Sequence, residues 1–241
     1  MDNKAIIRAG GSALVLGAIA FMAVFAILAA RFNYPAVLDG PAETVLPALI
    51  VMGSFGRGVW TLYALLPLIW LPAGVGAYYA LRSNSPGRML LALQFAVISS
   101  ISMMLGLMRW PSVHWRLGEA YATSDAGERS ILAAIFDGLN LYLGNYLGEF
   151  LGELSFSMFF LLSAWAMLKS GLAPRWVASI GLITGVAGLI GMFRNVTDGV
   201  AVVAAINNYL LPVWMIVFGI WMLRIRVDIT PGTPSTIQSS V

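Results

Sequence analysis

Long apolar stretches bracketed by charged residues constrain this chain more than any other feature of its sequence. A helix needs about 20 apolar residues to cross a bilayer core that is roughly 30 Å thick. Six stretches meet this requirement, over residues 9–30, between Arg57 and Arg82, between Arg88 and Arg109, over 149–168, between Arg175 and Arg194, and over 201–223. The sequence therefore predicts an all-α integral membrane protein with six transmembrane helices.

The composition supports this class and excludes several others. Apolar residues make up 59% of the 241 residues, charged residues only 10%, and a soluble domain rarely has such a balance. The chain has no cysteine and one histidine, so disulfides, thiolate catalysis, Cys-based metal sites and sites with two histidines are excluded. We expect no metal ligands and no cofactor. We also expect no nucleic-acid partner, because no basic run is interleaved with aromatic residues. His114 is predicted to face solvent or the membrane interface rather than a ligand.

The fourth apolar stretch is too long for a single span, since it extends from Ile131 to Leu168. Counting back about 20 residues from Lys169 places the outer end of the span near Glu149. Residues 131–145 are therefore predicted to form an amphipathic outer segment before the fourth helix.

Two faces can be distinguished in this outer segment. Its apolar residues recur at helical spacing, whereas a second face carries polar groups such as Asp137 and Asn140. Asp125 and Glu128 have the spacing of an N-terminal helix cap. The apolar face comprises Ile131, Ile135, Leu139 and Tyr142.

A second outer segment, residues 32–56, is predicted to lie along the membrane surface. It contains several prolines and glycines around an apolar patch, and the patch consists of Val45, Leu46, Leu49 and Ile50.

The distribution of lysine and arginine predicts the orientation of the spans. With six spans, one side holds eight basic residues, namely Lys4, Arg8, Arg82, Arg88, Lys169, Arg175, Arg224 and Arg226. The other side holds six, namely Arg31, Arg57, Arg109, Arg116, Arg129 and Arg194. The more basic side is predicted to be cytoplasmic, so both chain ends would face the cytoplasm. Residues 1–228 would form the transmembrane domain and residues 229–241 a disordered cytoplasmic tail.

Polar residues in the fourth span are the main candidates for function. Asn145, Glu149 and Glu153 recur every four residues and would lie on one face of a helix. Because ionised glutamate is costly on the lipid side, these carboxylates are predicted to face other helices. Close backbone contacts are predicted at glycines beside them and in the fifth span, at Gly148, Gly152, Gly185 and Gly188.

Three arginines are predicted at the same outer level as Glu149, namely Arg57, Arg109 and Arg194. They would form a network with the two glutamates that neutralises their charges. Alternatively, each is a boundary arginine whose head group reaches the interface. No catalytic residue is predicted, and the predicted binding site comprises Arg57, Arg109, Asn145, Glu149, Glu153 and Arg194.

Short motifs spread over nearly the whole chain resemble bacterial membrane proteins of domain-of-unknown-function family 4386. They are Phe32-Asn33-Tyr34-Pro35-Ala36-Val37-Leu38, Arg109-Trp110, Leu147-Gly148-Glu149 with Leu151-Gly152, and Pro174-Arg175-Trp176. This resemblance implies a multi-pass protein of a bacterial inner membrane, and it supplies no catalytic residues.

Three kinds of function stay open on the sequence alone. The first is binding or transport of a small amphiphile, a lipid or an anion in an outer-facing polar pocket. The second is an intramembrane enzyme that uses Glu149 and Glu153 as an acid/base pair, although the sequence offers no nucleophile or cofactor motif. The third is an accessory or sensor subunit that contacts a partner membrane protein, or a second copy, through its glycine faces.

Overall fold

The computed structural model describes residues 2–228 and 236–238. Apart from 236–238, the tail predicted at residues 229–241 lies outside the described residues. The longer helices are α1 (Asn3–Phe32), α2 (Ala42–Val51), α3 (Gly53–Leu65), α4 (Trp70–Leu81), α5 (Pro86–Met108), α6 (Trp115–Thr123), α7 (Ala126–Leu139), α8 (Gly152–Ser170), α9 (Arg175–Gly191) and α10 (Ala201–Arg224).

Shorter elements connect these helices. Two are π-helical, with hydrogen bonds from residue i+5 to residue i, and they span Trp110–His114 and Asn140–Leu151. The 3₁₀ turns span Ala36–Asp39, Leu66–Ile69, Met192–Asn195 and Asp198–Val200. Strands β1 (Arg226–Asp228) and β2 (Thr236–Gln238) pair in antiparallel fashion.

Within the described part of the chain, six helical runs are long and apolar enough to cross a membrane. This confirms the predicted all-α class with six spans. Two runs are longer than predicted, because α5 continues through a π turn into α6 and α7 continues through a π segment into α8. The runs are Asn3–Phe32, Gly53–Leu81, Pro86–Thr123, Ala126–Ser170, Arg175–Asn195 and Asp198–Arg224.

The amphipathic segment before α8 begins with the predicted cap. The Glu128 amide donates to Oδ1 of Asp125 at 2.9 Å, and the Asp125 amide donates to Oε2 of Glu128 at 3.2 Å. Ile131 and Ile135 on the apolar face are exposed, as expected for side chains that meet lipid. The prediction for Asn140 on the polar face is wrong, because this residue is buried.

The segment over residues 32–56 does not present its apolar patch to the membrane surface, which corrects the prediction. Val45, Leu46 and Leu49 of α2 are fully buried and belong to a hydrophobic core. Gly118 of α6 allows this packing, since a methyl group at that position would lie 2.8 Å from Cγ1 of Ile50. The apolar patch is therefore covered by protein.

The chain divides into two compact units. Unit 1 comprises Met1–Ile19, Leu68–Ile101 and Gly152–Val241. Unit 2 comprises Ala20–Pro67 and Ser102–Leu151. Each unit has its own core and its own polar centre.

In unit 1, α9 packs between α8 and α10 through a face of glycines. Residue numbers fall along α9 as they rise along both neighbours, so α9 runs antiparallel to α8 and to α10. The close approach predicted at Gly185 and Gly188 is confirmed. Against α8, Gly181 meets Ala164, Gly185 meets Leu161 and Gly188 meets Ser157, while against α10, Gly181 meets Trp214, Gly188 meets Asn207 and Gly191 meets Ala204.

Unit 2 has an aromatic core. Trp60 and Trp110 stack with their ring centres 4.7 Å apart, and Phe32 contacts both rings edge-on. A methyl group on Gly106 of α5 would lie 2.5 Å from Cα of Gly148, which confirms the close contact predicted at Gly148. These contacts join α5 to the π segment Asn140–Leu151 within unit 2.

Candidate functional site

The polar centre of unit 1 is an ion pair between Glu153 and Arg194. Glu153 lies in the first turn of α8, and Arg194 lies in the 3₁₀ turn that follows α9. Nη1 and Nη2 of the guanidinium donate to Oε2 and Oε1 of the carboxylate, each at 2.7 Å. This bidentate geometry is the strong form of an arginine–carboxylate pair. The side chains are 28% and 23% exposed, so other charged groups can reach the pair.

A layer of uncharged polar side chains lies next to the ion pair along the same helices. Ser157 follows Glu153 by four residues on α8, and Asn207 of α10 is its counterpart across Gly188. A methyl group on Gly188 would overlap the Ser157 hydroxyl and lie 3.1 Å from Nδ2 of Asn207. Both side chains therefore meet at this glycine. Both are buried, as is Thr184, one turn before Gly188 on α9.

The polar centre of unit 2 is Arg109, which is only 5% exposed. Its Nε and Nη2 donate to Oδ1 of Asn140 at 3.1 and 3.0 Å, and its Nη1 donates to the carbonyl of Gly106. Nδ2 of Asn140 in turn donates to the carbonyl of Leu38 at 2.9 Å. Asn140 thus connects three segments that are distant in the sequence. We call Arg109, Asn140 and the Leu38 carbonyl the asparagine node.

Two neighbours fit the guanidinium of Arg109 closely. Cζ lies 5.0 Å from the centre of the Trp110 ring, within the range of a cation–π interaction. Gly144 leaves room on the π segment, because a methyl group there would lie 2.6 Å from Cζ of Arg109. Glycine at 144 is therefore needed for this arrangement.

The other residues of the predicted site also belong to unit 2. Nε of Arg57 donates to the carbonyl of Pro111 at 3.0 Å, and its guanidinium lies 5.5 Å from the Trp115 ring centre. Asn145 and Glu149 are half-buried in the π segment. The structure thus brings Glu153 to Arg194 in unit 1 and Arg109 to Asn140 in unit 2. A single binding site made of all six predicted residues stays a prediction.

The prediction for His114 is wrong, because the imidazole is completely buried in unit 2. Its ring centre lies 4.9 Å from that of Trp110 and 4.6 Å from that of Phe136. Neither ring nitrogen has a hydrogen-bond partner among the described residues. The cause is the π turn after Arg109, which continues the helix into α6 instead of ending the third span near Arg109.

Sequence reasoning missed Asn140 as a site residue, although one signal could have identified it. Asn140, Gly144 and Gly148 recur every four residues, and the structure buries all three. Extending the glycine stripe backward by one step would therefore have placed Asn140 on the buried face.

These features define a multi-pass membrane protein with one polar centre in each of two units. The model of the family described as "Domain of unknown function (DUF4386)" matches residues 9–225, and the chain belongs to this family. This confirms the resemblance noted in the sequence. Comparisons with curated proteins and with solved structures give no match.

Proposed function

We propose that this protein binds a small amphiphilic ligand whose charged head group is held by Glu153 and Arg194 in unit 1. The observation that carries the proposal is the partly exposed, bidentate ion pair within helical runs long enough to span a membrane. Ionisable groups at such positions are costly to place in lipid and commonly mark substrate or ion sites.

The ion pair offers both signs of charge to a ligand. An anionic group can replace the carboxylate on Arg194, and a cationic group can replace the guanidinium on Glu153. Because charge-assisted hydrogen bonds are about twice as strong as neutral ones, only another charged group competes well for either partner. The head group of the ligand is therefore charged or zwitterionic.

Apolar surface next to Arg194 supports an amphiphile rather than a simple ion. Ile190, Phe193 and Val196 flank Arg194 in sequence and are 42%, 42% and 62% exposed. Such side chains suit the hydrocarbon part of a ligand that arrives from the bilayer. By the count of basic residues, the Arg194 end of α9 faces outside, so the ligand would enter from the outer leaflet.

Removing or exchanging the charges of Glu153 and Arg194 tests this proposal. Purified protein in detergent is incubated with mixed phosphatidylethanolamine and phosphatidylglycerol, and bound lipid is counted by native mass spectrometry. Glu153→Gln should weaken binding of phosphatidylethanolamine by about tenfold or more, because the ammonium loses its carboxylate partner and a charged hydrogen bond contributes roughly 1.5–3 kcal/mol. Binding of phosphatidylglycerol, which has no cation for Glu153, should not weaken. The double variant Glu153→Arg/Arg194→Glu should keep the pair and the thermal stability but bind lipid poorly, because the charges have exchanged positions.

The matched control is Glu119→Gln, which removes the carboxylate of the exposed Arg116–Glu119 pair. It should leave lipid binding unchanged. If Glu153→Gln and the double variant bind lipid as the wild type does, the ion pair is structural and the proposal fails.

A further inference from the structure

Building on the proposed function, we infer that the layer next to the ion pair is a subsite for a ligand group that carries an N–H or O–H donor. The layer consists of Ser157, Thr184 and Asn207 and is called the amide layer below. It would distinguish between head groups that have the same charge.

The helix register places Ser157 and Asn207 about one turn from the ion pair, and Thr184, four residues before Gly188 on α9, about one turn further from it. Glu153 and Ser157 are four residues apart on α8, so they share one face about one turn apart. One helical turn is about 5.4 Å, a distance that a short head group can bridge. Ser157 of α8 and Asn207 of α10 come close together at Gly188, because a methyl group on Gly188 would contact both side chains.

Two oxygens in this layer are buried without a hydrogen-bond partner among the described residues. They are Oδ1 of Asn207 and Oγ1 of Thr184, on side chains that are 9% and 1% exposed. A buried polar atom without a partner is rare in native proteins, and each of these oxygens can accept a hydrogen bond from a bound group. The Asn207 amide oxygen only accepts, whereas the Thr184 hydroxyl can also donate, so a bound group that satisfies both oxygens can do so with donors.

Donor chemistry narrows the class of ligand. A primary ammonium carries N–H donors as well as the positive charge that pairs with Glu153. A quaternary ammonium carries the same charge, but methyl groups replace every N–H. With a phosphate on Arg194, the amide layer should therefore favour an ethanolamine head group over a choline head group.

The test compares phosphatidylethanolamine with phosphatidylcholine of identical acyl chains, by native mass spectrometry of the full chain. The wild type should bind the ethanolamine lipid about tenfold more tightly, because sites built for a donor reject analogues that lack it. Asn207→Leu and the near-isosteric Thr184→Val should reduce this preference toward equality. Ser100→Ala is the control, since Ser100 is a buried hydroxyl of the same unit, on α5.

The outcomes separate this inference from the proposed function. If Asn207→Leu and Thr184→Val both fold and keep the full preference, the amide layer is not a subsite, although lipid binding at Glu153 still stands. If Glu153→Gln binds both lipids as the wild type does, the proposed function itself fails. Equal binding of both lipids by the wild type also overturns the inference about donors.

Discussion

The polar centres of the two units hold their arginines in different ways. Arg194 in unit 1 is partly exposed and pairs with the carboxylate of Glu153, whereas Arg109 in unit 2 is almost completely buried and donates to the amide of Asn140. A guanidinium on an accessible carboxylate can exchange that partner for another charged group. A buried guanidinium within the asparagine node instead fixes the positions of three chain segments. The comparison therefore supports the proposed ligand binding in unit 1 and favours a structural role for the node.

The two units also differ in net charge. Unit 1 has nine basic and four acidic residues: Lys4, Arg8, Arg82, Arg88, Lys169, Arg175, Arg194, Arg224 and Arg226 against Asp2, Glu153, Asp198 and Asp228. Unit 2 has five basic and seven acidic residues: Arg31, Arg57, Arg109, Arg116 and Arg129 against Asp39, Glu43, Glu119, Asp125, Glu128, Asp137 and Glu149. Eight of the nine basic residues of unit 1 lie on the side predicted to be cytoplasmic, so this positive excess reflects the predicted orientation and not the ion pair at Arg194.

Removing the guanidinium of the node should have the largest effect on stability. Arg109→Ala leaves the amide of Asn140 without its donor and opens space beside Gly144, so we expect a loss of about 3 kcal/mol. Unfolding in detergent followed by circular dichroism would measure this loss. Arg116→Ala, at an exposed ion pair, is the control and should unfold with the wild type. A stable Arg109→Ala protein that has lost lipid binding would reverse the roles of the two arginines.

Filling the space beside Arg109 should have an intermediate effect. A methyl group in Gly144→Ala would collide with the guanidinium, and overpacking of this kind costs about 1–3 kcal/mol. Gly138→Ala is the matched control, because a methyl group there meets no atom within 4 Å. We expect this control to be neutral or slightly more stable, since alanine favours helix over glycine by about 1 kcal/mol. Equal melting temperatures for the two variants would contradict the tight fit around Arg109.

The smallest predicted effect concerns His114, where a substitution should stabilise the protein instead of destabilising it. Its ring nitrogens are buried without partners among the described residues, so His114→Phe should remove an unfavourable burial while nearly keeping the shape. We expect the protein to gain about 1 kcal/mol, measured as a higher midpoint of unfolding. A loss of about 2 kcal/mol or more would show that His114 bonds to an internal water, and the polar role of unit 2 would extend beyond the node.

The sequence predicted the features that follow from hydropathy and local spacing. The six spans, the cap at Asp125 and the close contacts of Gly148 and Gly185 depend on length, on capping chemistry and on the small size of glycine, all of which can be read locally. The contact of Arg194 with Glu153 was also predicted, because charge within an apolar run is conspicuous, and a binding role for these residues stays a prediction.

The sequence could not predict which arginine meets which partner. Arg57, Arg109 and Arg194 look alike as charges at the ends of apolar runs, and their partners depend on helix rotation. The π turn after Arg109 continued the helix past that residue and buried His114. No propensity marks a π segment in advance, which explains the error at His114, whereas the four-residue spacing to Gly144 and Gly148 could have placed Asn140 on the buried face.

The asparagine node also sets an order of events during synthesis. Asn140 follows Arg109 by 31 residues and Leu38 by 102 residues, so the ribosome makes the acceptor of the arginine last. At about 5–20 residues per second, Arg109 precedes Asn140 by roughly 2–6 seconds and Leu38 precedes it by roughly 5–20 seconds. During that interval the nascent chain has to hold a charged guanidinium without its amide partner. Water and lipid head groups at the outer interface, where the predicted topology places Arg109, can solvate its charge until the fourth apolar run arrives.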